Sequence, residues 1–219
     1  MEEINQDKQQ GIADIHTHTR CSGFGKYSFL HFPESVTDPV KAVEAARRKK
    51  LDVLCITDHN TIQGAIIAKK HAENIDVVIG EEISSADGEI LALFIQEKIK
   101  PMLDAPLTID LIHDRGGVAV AAHPFSPQCH SLGKKICHLK LDGVEVFNAY
   151  HRDAYSNLMA QTFTPEKLAI DKTTKKTKAL ALIGAGLYIG LPLSYFFGIS
   201  GEIILNIKGK RKWNISRGQ

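Results

Sequence analysis

The sequence predicts an α/β fold, a barrel or part of one, across residues 11–160. Two observations carry the prediction. Short β-branched and apolar runs alternate with helical patterns along most of this stretch, the order expected of a parallel sheet covered on both faces. Several of those runs also end in histidine or carboxylate, and in parallel α/β barrels the C-terminal strand ends build the active site.

The first run, Gly11–His18, closes on Asp14-Ile15-His16-Thr17-His18. Alternate residues of a strand share a face, so Asp14, His16 and His18 are expected to converge on one point. Asp38 stands as an N-cap ahead of Pro39, which suits the first position of a helix over Pro39–Lys50. The second run, Leu51–Thr57, leads into Asp58-His59. Asn60 is a candidate cap for a helix over Thr61–Glu73, with Ile62, Ala65 and Ile66 facing inward. The third run, Ile75–Ile83, carries Glu81 and Glu82 at its end. Ser84–Gly88 reads as a turn, so the fourth run, Glu89–Ile95, is expected to return as a hairpin. A short helix over Thr108–Arg115 stops before Gly116. The fifth run, Gly117–His123, ends in His123-Pro124, and alternation puts Ala119 and Ala121 on the face of His123. The sixth, Gly143–Phe147, carries Glu145 and reaches Asn148. No internal repeat is visible.

With 219 residues, 43% hydrophobic and 24% charged, the chain has the composition of a globular protein able to bury a sizeable core. A formal net charge of +2 gives no ground for nucleic-acid binding by charge alone. The four cysteines include no CxxC pair and read as free thiols of a reducing, cytoplasmic compartment. The first ten residues, MEEINQDKQQ, resemble neither a secretory signal nor a transit peptide. The last quarter differs in composition: a basic linker over 161–178, an uncharged apolar segment over 179–201, and a basic tail over 202–219. At about 1.5 Å per residue the apolar segment is long enough to cross a bilayer core of roughly 30 Å. It is therefore a candidate membrane helix and tether. The alternative is a buried hairpin broken at Pro192.

Taken singly, the strand-end residues have ordinary explanations. His123 can be a hydrogen-bonded structural histidine, Glu81 and Glu82 can be solvated, and Asp58 can cap the next helix. Taken together, HxH, DH, EE and HP at successive strand ends point to a multi-metal centre. Neutral imidazole and carboxylate oxygen suit zinc, manganese or iron(II). The pairs Cys129-His130 and Cys137-His138 hold four further potential zinc ligands, at a spacing that matches no common finger.

DIHTHT at Asp14–Thr19, ITDHNT at Ile56–Thr61, GEEIS at Gly80–Ser84 and AAHPF at Ala121–Phe125 resemble, in order, motifs of the PHP (polymerase and histidinol phosphatase) family. GVEVFNA at Gly143–Ala149 is similar to that family's sixth-strand region, and the stand-alone phosphoesterases are the nearer type. The resemblance covers about residues 11–160. It implies a distorted (β/α)7-type barrel that binds two or three divalent metal ions. On this reading His16 and His18 resemble ligands of one metal, Glu82 a bridging carboxylate, and His59 and His123 ligands of further metals. Asp14 and Asp58 resemble residues that orient those ligands, and Glu89 lies near a histidine ligand of some members. The family's late Gly-Ser-Asp-x-His motif has no counterpart after Ala149. His151-Arg152-Asp153 holds a histidine and an aspartate in the wrong order. Thr164-Pro165-Glu166 resembles the family's residues just C-terminal to that motif. One explanation is therefore a stretch lost between Phe163 and Thr164, leaving the barrel incomplete at its last strand.

The expected reaction is hydrolysis of a phosphoester by metal-activated water. The substrate would be a nucleotide, a short oligonucleotide or a small metabolite phosphate. His123 and Arg20 form the expected catalytic set, with Arg20, and more weakly Lys26 and Arg152, holding the substrate phosphate as fixed positive charge. Two alternatives stay open. The missing late motif suits a catalytically impaired metal-binding or regulatory module, and an amidohydrolase-type C–N hydrolase also opens with HxH on its first strand.

Overall fold

Six strands, joined at one edge by a short seventh, curl into a half-barrel in a computed structural model that describes residues 12–24, 32–33, 35–149, 154–170 and 180–183. They are β1 (Ala13–Thr17), β4 (Val53–Ile56), β5 (Asp76–Ser84), β6 (Glu89–Leu93), β7 (Val118–Ala121) and β8 (Gly143–Phe147), adjacent in that order. β1, β4 and β5 run parallel, β6 is antiparallel to both neighbours, and β7 and β8 run parallel again. The expected hairpin is therefore present, with Ser84 opposite Glu89. A two-stranded ribbon, β2 (Gly23–Phe24) with β3 (Phe32–Pro33), interrupts the chain after β1 and is not foreshadowed in the sequence.

The helices form where local chemistry allows them. α1 (Pro39–Arg48) has Asp38 as its N-cap, accepting from the Val40 amide at 2.9 Å, and Pro39 in its first turn. α2 (Gln63–Lys70) is shorter than expected. Asn60 does not cap it: with φ of 54° it lies outside the helix, and its side chain bonds the Ser84 amide and hydroxyl instead. α3 (Ala105–Asp114) begins three residues before the expected Thr108. Asp104 caps it through the Leu107 amide, and Pro106 sits in its first turn, a start signal as plain as that of α1. A 3-10 turn covers Gly133–Cys137.

α4 (Ala154–Ile170) runs through the boundary expected at residue 160, so the stretch read as a basic linker is helical up to Ile170. The helix is also continuous across Phe163 and Thr164, where the sequence suggests a lost stretch. The hydrophobic segment opens as a strand rather than a helix: Leu180–Ile183 (β9) pairs parallel with β8. The rest of that segment, 184–201, the basic tail, and the candidate phosphate-binding residues Lys26 and Arg152 lie outside the described residues. Among the described residues no helix is long and apolar enough to cross a membrane.

Apolar residues on the two faces of the sheet form separate clusters. The outer face of β4 and β5 packs on α1 and α2 through Val43, Ala46, Leu54, Ala65, Ala68, Val77 and Ile79. The outer face of β6 to β8 packs on α3 and α4 through Ile90, Ile109, Ile112, Ala119, Val144 and Ala160. Each such buried branched side chain contributes about 1.5–3 kcal/mol. The inner face holds Ile15, Cys55, Val78, Leu91, Leu93, Val120 and Ala122. Val78 shares its face with Glu82, and Leu91 with Glu89. This inner cluster is thus an apolar floor beneath the polar strand ends.

Candidate metal centre

The strand ends bring His16, His18, His59, Glu82 and His123 together, all five on the inner side. Glu82 is 1% exposed and central: its Oε1 lies 2.9 Å from His123 Nε2, and its Oε2 lies 3.0 Å from His16 Nε2, 3.1 Å from His18 Nε2 and 3.5 Å from His59 Nε2. Two ligand triads share this one carboxylate, His16–Glu82–His123 and His18–His59–Glu82, each with its ligand atoms within 4.8 Å of one another.

Each side chain is placed by backbone pairing. His59 and Glu82 form an isolated parallel bridge beyond the end of β4: the Asn60 amide donates to the Glu82 carbonyl and the Glu82 amide to the Asp58 carbonyl. β1 breaks register between Asp14 and Thr17, so strict alternation fails there. Asp14 accordingly does not converge with the two histidines; it accepts from the His16 amide at 3.3 Å, and burial pushes its carboxyl up to about 7. His123 also departs from alternation. Ala119 and Ala121 pack outward, yet His123 reaches inward, because a φ of 25° turns the chain back at that residue. Non-glycine residues adopt positive φ at a cost, and such strain gathers at functional sites.

Asp58 does not cap α2. It accepts from the amide and hydroxyl of Thr19, fixing the loop that begins at His18. A Cβ on Gly64 would collide with Asp58 Oδ2 and Thr19 Oγ1, so only glycine lets α2 approach this pair. Arg20 stands apart from the cluster: its guanidinium, 63% exposed, pairs with Asp38 at 2.9 Å. Glu81 points to the other face of β5, where it accepts from the Ile99 amide at 2.9 Å.

One residue carries more than its place in the sequence suggests. Glu145 on β8 accepts from His16 Nδ1 with both oxygens, at 3.1 and 3.2 Å, from the His123 amide at 2.7 Å, and from the Asn148 side chain at 3.1 Å. A histidine that donates Nδ1–H in this way presents an Nε2 lone pair. Nε2 lies 3.0 Å from Glu82 Oε2 and 3.1 Å from His18 Nε2, so without a cation it is a proton on His16 that pairs it with the carboxylate, and a bound cation would take that proton's place. Burial favours neutral His16, but the Glu82 and Glu145 carboxylates outweigh it and push its pKa well above the ordinary value. Burial likewise opposes charge on Glu82, yet the surrounding histidines, His16 foremost, hold its carboxyl well below the usual range. Buried imidazoles around a buried carboxylate are a donor set that fits a divalent cation.

Glu89 is buried at the rim, 3.6 Å from His59 Nδ1 and 3.7 Å from His123 Nε2, and burial together with the Glu82 charge raises its carboxyl to about 7. The two Cys-His pairs do not form a common zinc site. Cys137 is half-buried against the core and His138 is exposed. Cys129 instead groups with Glu89 and His123. All four cysteines are free.

No protein-family model matches the chain. Over 150 residues it is 49% identical to the uncharacterized protein MJ1587 of Methanocaldococcus jannaschii, covering 68% of this chain and 88% of that protein. A second uncharacterized protein of the same organism, MJ0417, is 32% identical over 161 residues, covering 67% of this chain and 56% of that one. Among solved structures, a two-domain protein of Bacteroides vulgatus containing a predicted PHP-like metal-dependent phosphoesterase matches with a TM-score of 0.56 at 18% identity. That match covers 72% of this chain and 49% of the other. A protein of Bifidobacterium adolescentis assigned as a metal-dependent phosphoesterase matches at 0.58 and 18%, covering 80% and 87%. An amidohydrolase of Chromobacterium violaceum, solved with bound sulfate and no metal, matches at 0.59 and 14%, covering 80% and 87%. These structural likenesses are of fold. The identity to MJ1587 extends over nearly all of that protein, and the chain belongs to its family.

Proposed function

We propose that this protein is a metal-dependent phosphoesterase of PHP type, hydrolysing a nucleotide, a short oligonucleotide or a small phosphorylated metabolite. The observation that carries the reading is the position of Glu82, whose carboxylate lies between two histidine pairs, with Oε1 beside His123 and Oε2 beside His16, His18 and His59. A bridging carboxylate of this kind suits adjacent divalent ions. Such ions, when bound, act as Lewis acids and lower the pKa of a coordinated water.

The chain's own residues supply the rest. Glu145 fixes the ring of His16 so that Nε2 faces the centre. Asp58 and Thr19 hold the loop that presents His18. The apolar floor of Leu91, Leu93 and Val78 keeps bulk water from below, which strengthens every charge interaction above it.

The test is turnover of metal-loaded protein on nucleoside monophosphates, dinucleotides and sugar phosphates, with amide and amidine C–N substrates alongside. Phosphate release that the His16→Ala change abolishes supports the reading. C–N cleavage in its place assigns the amidohydrolase activity, and bound metal without any turnover assigns a binding module.

A further inference from the structure

Beyond the two triads that share Glu82, a third group of ligand atoms stands at the rim. A Glu89 oxygen, a His123 nitrogen and Cys129 Sγ lie within 4.8 Å of one another. Glu89 and His123 are 6% and 7% exposed, and Cys129 is half-buried. The spacing is close to that of ligands around one ion, since zinc lies about 2.0–2.3 Å from nitrogen, oxygen and sulfur donors.

The loop that carries Cys129 is built rather than loose. Ser126 Oγ accepts from the amides of Gln128 and Cys129, both at 3.2 Å, and the Ser126 amide donates to the His123 carbonyl at 3.0 Å. Ser131 Oγ donates to the same carbonyl at 2.8 Å. The loop is closed by the Gly133 amide donating to the Pro124 carbonyl at 2.7 Å. It is also pinned to β6: the Glu89 amide donates to the His130 carbonyl at 2.9 Å. The residue after Cys129 is thus clamped to the backbone of Glu89, and the residue that starts the loop is His123. Glu89 on β6 and the loop residues His123 and Cys129 are thus held in one place by hydrogen bonds in which none of their three side chains takes part.

We propose that Cys129 is a metal ligand, its thiolate joining Glu89 at the ion that His123 holds, a position thereby suited to a thiophilic divalent ion such as zinc or iron(II). This rests on the reading of the strand ends as a metal centre. The thiol proton is released to solvent on binding, as for any cysteine ligand. A sulfur donor in place of a third oxygen or nitrogen biases the position away from magnesium and manganese.

The experiment is titration of the full-length, metal-free protein with Co²⁺ as a spectroscopic substitute for zinc. Bound cobalt is counted by metal analysis, visible absorption reports the ion's environment, and near-ultraviolet thiolate-to-cobalt charge transfer reports sulfur ligation. The charge-transfer band is expected in the wild type, Cys21→Ser and Cys137→Ser proteins and absent from Cys129→Ser. Iodoacetamide labelling of the wild type, read by peptide mass spectrometry, provides a check independent of any variant. Cobalt is expected to slow alkylation of Cys129 by about tenfold or more, as loss of the free thiolate requires, and to leave Cys137 unchanged. Cobalt bound without the band, a band that survives Cys129→Ser, or unprotected Cys129 overturns the assignment and leaves the two-triad centre standing. A chain that binds no cobalt overturns both.

Discussion

Glu145 grips His16 across the half-barrel, with its two carboxylate oxygens 3.1 and 3.2 Å from Nδ1. The two residues are 129 positions apart in sequence and lie on β8 and β1. The same carboxylate also receives the His123 amide, so it orders one histidine by its ring and another by its backbone. Carboxylates behind ligating histidines tune metal affinity by about 10–100-fold. Glu145→Ala is expected to weaken metal binding by about that factor while leaving metal stoichiometry unchanged at saturation. Equilibrium dialysis against competing chelator measures it, and an unaltered affinity contradicts the orienting role.

Glu82 predicts a different pattern. Because both triads use it, Glu82→Gln is expected to empty both positions together, whereas His59→Ala is expected to empty one. Metal analysis after passage through chelating resin distinguishes them. Independent loss of single ions from the Glu82→Gln protein would show that the carboxylate does not bridge.

How much of this is readable in the sequence depends on distance along the chain. His16, His18, His59, Glu82 and His123 are legible because each ends an apolar run, and strand ends gather in this architecture. The hairpin is legible from Ser84–Gly88, and α1 from Asp38-Pro39. Glu145 is visible on its strand, but its purpose depends on a partner on the far side of the sheet, which no local pattern encodes. The inward turn of His123 depends on one backbone angle that alternation cannot anticipate. Asn60 and Asp58 mislead for a related reason: both are good capping residues, and each finds a tertiary partner instead, Ser84 and Thr19. Arg20 likewise finds Asp38. α4 escapes notice because no clean apolar period marks it, whereas Asp104-Ala105-Pro106 does carry a start signal for α3 that the shorter expected helix leaves unused.

Gly64 offers a test of how the loop after β1 is held. An added methyl meets Asp58 Oδ2 and Thr19 Oγ1 with no room to relax, since both atoms are engaged with each other. Gly64→Ala would ordinarily favour a helix, but overpacking at a closed site costs about 1–3 kcal/mol. Net destabilisation is expected in chemical unfolding, together with weakened metal binding, because the displaced pair positions His18. A stabilised variant would mean that α2 can move away from the loop.

Glu81 predicts a pH dependence with a definite sign. Its carboxyl is fully buried against the outer core, and burial pushes its pKa up to about 7 despite the Ile99 amide and the nearby Lys98 and Arg115 charges. In the unfolded chain the carboxyl titrates at its ordinary value of 4.5. Between those values the folded state holds a proton that the unfolded state has lost, so stability falls as pH rises, by at most about 1.4 kcal/mol per pH unit. Below 4.5 both states are protonated and the loss vanishes; above about 7 both are ionised and it is complete. Glu81→Gln removes this dependence while keeping the acceptor for Ile99. The stability of the wild type relative to Glu81→Gln, measured by urea unfolding in chelator, is therefore expected to decline across the window from 4.5 to about 7. Parallel pH curves for the two proteins would show that the buried carboxyl is ionised at neutral pH and accommodated as such.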